Sequence, residues 1–86
     1  MVTKDIRQEL TDAYSEELLF ADGFDEAIVG VSSGIGESRV VYDIAKMLNI
    51  LTTKHNMSVE EADEYLSFNT IFAWVGQRTP IYIDTV

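Results

Sequence analysis

Four carboxylates, Asp22, Asp25, Glu26 and Asp43, flank the first two β-prone runs of the sequence. Gathered at one end of a sheet, they would offer the oxygen donors that Mg²⁺ or Ca²⁺ prefers. EF-hand spacing is absent, and local roles account for three of them: Asp22 and Asp25 as turn formers, Asp43 as a helix N-cap. The segment Ser32-Ser33-Gly34-Ile35-Gly36 has the glycine content of a phosphate-binding loop. It lacks the third glycine of the dinucleotide fingerprint and any Gly-Lys-Ser/Thr, and a strand follows it rather than a helix N-terminus. A hairpin tip is the favoured reading. His55 is the only histidine and there is no cysteine, so thiolate zinc sites, disulfides, a cysteine nucleophile and HExxH metal sites are excluded. No nucleophile and orienting acid accompany His55, which reads as structural. The sequence calls for no catalytic residue, no metal and no cofactor.

The residues best suited to interaction are Asn69, Trp74, Gln77 and Arg78, together with Glu60, Glu61 and Glu64. Trp74 and Arg78 are four apart, and arginine stacks on indole. Both types are enriched where binding energy concentrates. The simpler reading makes Trp74 a core residue and Asn69 a helix-ending cap. Glu60, Glu61, Asp63 and Glu64 form an anionic knob: a solvated face in the simpler reading, a docking surface for a basic partner in the functional one.

Fifteen acidic against six basic residues give a formal charge of −9 over 86 residues. That excludes a basic nucleic-acid clamp and argues against binding to an anionic membrane. With 47% hydrophobic and 24% charged residues, the composition is that of a globular domain. The length suits a single α+β domain over residues 1–86. No apolar run approaches the ~20 residues of a membrane span, and MVTKDIRQEL has no apolar leader core, so the expectation is a soluble, cytoplasmic chain.

The elements that must position these residues follow from periodicity. Ile6, Leu10, Ala13 and Tyr14 form one helical stripe, which predicts a helix from Lys4 to about Tyr14 with Thr3 as N-cap, ending near Ser15 or continuing through Leu19 toward Gly23. Asp22-Gly23-Phe24-Asp25 predicts a turn. Ala27-Ile28-Val29-Gly30-Val31 reads as a strand buried on both faces, hairpin-paired with Ser38–Tyr42. Asp43 caps a helix carrying Ile44, Met47, Leu48 and Leu51, and Asn56 is placed to end it in a left-handed conformation. Ser58-Val59-Glu60-Glu61 is a capping box, with Met57 placed to staple onto Ala62. The helix it opens turns Val59, Ala62, Tyr65 and Leu66 to one face. After Gly76, Thr79-Pro80 forces extended geometry, and Ile81-Tyr82-Ile83 reads as an edge strand.

The predicted fold is α+β, a small three-stranded, mainly antiparallel sheet with helices on one face, in the order α-β-β-α-α-β. Val29, Val31, Val41 and Ile83 cannot all lie under the helices if Ile28, Val40 and Tyr82 do. The surplus apolar β-surface therefore predicts a homo-oligomer, most simply a two-fold dimer.

The runs DGFDEAIVGV (22–31), VYD (41–43), MSVEEADEY (57–65), FNT (68–70) and AWVGQRTP (73–80) resemble short uncharacterised proteins of tailed bacteriophages and of aquatic environmental sequences. The likeness spans about residues 22–83. It implies a phage-type origin and action inside a bacterial host cell, with no activity, ligand or site residue to carry over. In those relatives charged residues often follow Tyr-Asp, whereas Ile44-Ala45 stands here.

Three functions are compatible with this reading. The best supported is a small acidic accessory protein acting by protein–protein interaction, competing for a basic host protein or imitating a nucleic-acid backbone. The second is a minimal ligand-binding module or enzyme assembled at a homodimer interface, with carboxylates near Asp22 and Asp43 acting beside Asn69 or Arg78. One 86-residue chain is expected to have little room for a pocket of ~300 Å³ or more. The third is a self-associating structural subunit.

Overall fold

The computed structural model describes residues 5–14, 18–32, 34, 36, 38–71 and 76–85. The elements are α1 (Ile6–Tyr14), β1 (Ile28–Val31), β2 (Val40–Asp43), α2 (Ile44–Lys54), α3 (Val59–Leu66) and β3 (Ile81–Ile83). A 3₁₀ turn (Asp25–Ala27) precedes β1, and a π-helical turn (Ser67–Ile71) continues α3. The fold is α+β in the expected order. The sheet is mixed rather than mainly antiparallel, with strand order β1-β2-β3. β1 and β2 pair antiparallel, while β2 and β3 run parallel, Tyr42 opposite Tyr82. Parallel neighbours need a crossover of a dozen residues or more, and the chain between Asp43 and Ile81, with α2 and α3 in it, supplies one.

Local chemistry sets the helix ends. The Asp43 carboxylate accepts from the Ala45 amide at 2.9 Å and starts α2. Asn56 has φ +55°, and the Met57 amide turns back to the Leu51 carbonyl at 3.2 Å. The capping box at α3 is complete: Glu61 N–H donates to Ser58 Oγ (3.1 Å) and Ser58 N–H to Glu61 Oε1 (3.0 Å). At α1 the Asp5 carboxylate accepts from the Arg7 amide at 3.0 Å, so Asp5 serves the helix start directly. Thr3, expected as the cap, lies outside the described residues.

The core joins Val40 and Tyr42 of β2 to Met47, Ile50 and Leu51 of α2, Ala62 and Leu66 of α3, and Leu18, Phe24 and Ala27 of the connecting segment. Leu10 packs against it from α1, which itself buries no residue fully. Met57 packs on the same core, as a staple onto Ala62 requires.

β1 departs from the expected strand buried on both faces. Its register shifts between Ile28 and Gly30: Ile28 pairs with Tyr42, Gly30 with Val41 and Val31 with Val40, leaving Val29 as the extra residue of a β-bulge. Ile28 and Val31, three apart, thereby share the helix-covered face and pack on the core, while Val29 is 47% exposed. Strand alternation then turns Gly30, Val41, Ile81 and Ile83 to the opposite face. Of the four residues expected to exceed helix cover, the bulge thus brings Val31 under the helices.

Candidate functional site

An open cleft of about 420 Å³ lies where the segment before β1 meets α3, the π-turn and the start of β3. Leu19, Phe20, Phe24, Tyr65, Pro80 and Tyr82 give it an apolar, largely aromatic lining, and Asp22, Asn69 and Thr70 add polar groups. One chain therefore builds a cleft of ligand-binding size by itself, contrary to the expectation that a dimer would be needed. Three contacts fix its walls. The Ala21 amide donates to the Tyr42 hydroxyl at 2.7 Å. Tyr42 stacks on Tyr82 with ring centroids 5.7 Å apart. Arg7 Nε donates to Asp25 Oδ1 at 2.8 Å and Nη2 to Asp22 Oδ1 at 3.2 Å, with the guanidinium 5.0 Å from the Phe20 ring centroid.

Beside the cleft lies a shallow shelf of about 340 Å³ lined by Met57, Glu61, Glu64, Tyr65, Phe68 and Asn69. Its centre is a helical stripe: Glu61, Glu64, Tyr65 and Phe68 fall at i, i+3, i+4 and i+7. Phe68 is 80% exposed and Tyr65 41%. This corrects the expected core face of α3. Only Ala62 and Leu66 of that face are buried, whereas Val59 is 69% exposed and Tyr65 turns outward. The reason is geometric: Ala62 and Leu66, one turn apart, suffice to seat the helix on α2, and the carboxylates need water on the flank that carries Tyr65. The Ser58 amide, with the Ser58 hydroxyl second, holds the Glu61 carboxyl below its usual range, so it is anionic at neutral pH.

Asn69 lies within the π-turn and donates through Nδ2 to the Tyr65 carbonyl at 3.1 Å. It therefore sits inside the turn that continues α3 rather than ending the helix as a cap, and it stands on the wall common to cleft and shelf. Of the residues singled out by sequence, the structure brings together Asn69, Glu61 and Glu64. Glu60 is exposed on the first turn of α3 and is not among the described lining residues. Gln77 and Arg78 sit in the turn that Thr79 closes on the Gly76 carbonyl (3.1 Å), away from the shelf lining. Arg78 is half-buried and has interaction partners of its own. Trp74 lies outside the described residues.

Asp22 and Asp25 are joined through Arg7, Glu26 pairs with Lys54, and Asp43 caps α2. Among the described residues no three acidic or histidine side chains gather in a metal-holding group, and no helix is long and apolar enough to cross a membrane. His55 is exposed at the C-terminal end of α2.

Sequence reasoning missed Phe20, Tyr65, Phe68 and Arg7. The signal for the stripe was present, because Glu61, Glu64, Tyr65 and Phe68 have helical spacing. Arg7 carried no such signal, since its partners lie 15 and 18 residues away. Comparisons of the chain with protein-family models, with curated proteins and with solved structures give no match.

Proposed function

We propose that this chain is a small acidic accessory protein of phage type that acts by protein–protein interaction, holding a basic segment of its partner on the Glu61–Glu64–Tyr65–Phe68 stripe. The observation that carries this reading is Phe68, 80% exposed beside two carboxylates. Exposed apolar area with a polar rim marks interaction surfaces. Aromatic faces next to carboxylates suit Lys and Arg, which gain both charge pairing and cation–π contact. No Lys, Arg or His is among the described residues lining the shelf or the cleft. The net charge of −9 would steer a cationic partner in and repel nucleic acid. On this reading the protein works in the cytoplasm of a bacterial host.

The test is calorimetric titration of a Lys/Arg-rich peptide at low and high salt, with Phe68→Ala beside the wild type. Wild type binds at low salt and weakens as salt rises; Phe68→Ala keeps its stability within about 0.5 kcal/mol and loses roughly tenfold or more in affinity. Unchanged affinity in Phe68→Ala removes the stripe as the site.

A second reading, self-association into a dimer, draws support from the sheet face turned away from the helices. Gly30, Val41, Ile81 and Ile83 lie there, each half-buried, and β1 and β3 are the edge strands of the sheet. Light scattering coupled to size exclusion at micromolar concentration decides it: a dimer mass abolished by Val41→Lys supports this reading, and a monomer mass for wild type ends it.

A further inference from the structure

The cleft and the shelf share the wall formed by Tyr65 and Asn69, so they are parts of one groove. One part is a shallow acidic and aromatic surface. The other is deeper and mixed, with Phe20, Phe24 and Tyr82 beside the polar groups of Asp22, Asn69 and Thr70. Carboxylates stand on both sides of the common wall, Glu61 and Glu64 on the shelf and Asp22 on the cleft. The Asp22 side chain is 95% exposed, although one of its oxygens accepts from Arg7. The cleft is also the firmer part, held by the Ala21–Tyr42 hydrogen bond, the Tyr42–Tyr82 stack and the Arg7 clamp. A pocket whose walls are fixed before binding costs less entropy to fill.

We infer that the partner segment carries a large apolar side chain, seated in the cleft behind Tyr65, with cationic residues on both sides of it: one set toward Glu61 and Glu64, the other toward Asp22. This deepens the function proposed above and rests on it, since the stripe must first hold a basic segment. The cleft adds selectivity that charge alone lacks. A purely cationic chain would be attracted and would leave about 420 Å³ of aromatic-lined space unfilled. A purely apolar peptide would gain nothing from the negative charge of Glu61, Glu64 and Asp22. The described lining has no cationic side chain, and Arg7 beside it is already held by Asp22 and Asp25, which disfavours an acidic segment.

The experiment uses three synthetic peptides of equal length against the full chain: Lys/Arg-rich with a central Phe, the same with Ala for Phe, and the same central Phe with Gln for every Lys and Arg. Affinities are read by calorimetry, and the contact residues by backbone amide chemical shifts. The basic Phe peptide is expected to bind about tenfold or more tighter than either of the others. It should shift the amides of Phe20, Ala21, Thr70 and Tyr82 as well as those of the stripe. Thr70→Trp, which places a ring on the cleft wall, should collapse the Phe/Ala difference. The peptide comparison on wild type stands by itself if that variant does not fold. Equal affinity for the two basic peptides overturns the anchor and leaves the charge-based reading intact. Equal affinity for the basic and Gln peptides overturns the cationic flanks. Binding by none of the three overturns both the anchor and the function it rests on.

Discussion

The Tyr42 hydroxyl, at the centre of the sheet, accepts a 2.7 Å hydrogen bond from the amide of Ala21, in the segment that walls the cleft. Tyr42 is fully buried, so the amide it receives has a partner without water. The sheet and the binding groove are thereby joined through one atom. The stack of Tyr42 on Tyr82 extends the link to β3, on the other side of the same cleft.

Tyr42→Phe removes that acceptor and strands the Ala21 amide. The expected cost is about 1–3 kcal/mol in urea unfolding, with faster hydrogen exchange at Ala21. Stability within error of wild type, with the exchange unchanged, would show that water replaces the phenol.

Burial raises the Tyr42 phenol above the ordinary tyrosine value of 10, the Ala21 hydrogen bond opposing it more weakly, and burial raises Tyr82 likewise. Both groups keep their protons in the folded state at a pH where the unfolded chain has lost them. Above about pH 10 the unfolded state therefore binds fewer protons, and stability falls as pH rises through the folded values. Urea midpoints from pH 8 to 11 should show this decline, shallower in Tyr82→Phe; identical slopes in the two proteins would contradict it.

Arg7 reaches Asp25, Asp22 and the Ala21 carbonyl while lying over Phe20. Arg7→Lys keeps the charge and loses the planar fork and the stacking. Because the side chain is 31% exposed, the expected loss is modest, about 0.5–1.5 kcal/mol for either Arg7→Ala or Arg7→Lys. Full recovery by lysine, in thermal unfolding at low salt, would reduce the clamp to simple charge pairing.

The capping box ties α3 to pH. The Ser58 amide and hydroxyl keep the Glu61 carboxyl below its usual range. Its contribution is thus present above about pH 4.5 and is lost as pH falls through the lower folded value. The stability difference between wild type and Glu61→Gln should narrow on acidification over that window. Ser58→Ala should cost about 1 kcal/mol at neutral pH. A difference that stays constant down to pH 3 would place the effect of Glu61 outside the cap.

The bulge in β1 predicts opposite outcomes for two neighbouring valines. Val31, beneath the helices, should lose about 1–3 kcal/mol as Val31→Lys, whereas Val29→Lys should stay within about 0.5 kcal/mol. Equal costs in denaturant titration would mean that the strand pairs without the extra residue.

What the sequence determined by itself is local. The Asp43 cap, the Ser58–Glu61 box and the left-handed Asn56 each depend on residues within about two turns of one another. So does the β-prone character of the three strands, and with it the α+β order of elements. Spacing also placed Glu61, Glu64, Tyr65 and Phe68 on one stripe, but not which stripe would face water. That was decided when Ala62 and Leu66 seated α3 on the core. Tertiary packing alone settled the parallel pairing of β2 with β3, the bulge that turns Val31 inward, and the Arg7 and Tyr42 hydrogen bonds, which span 14 to 21 residues. These depend on which surfaces meet once the core closes, and a residue carries no mark in its own neighbourhood of a partner that only the closed core brings near.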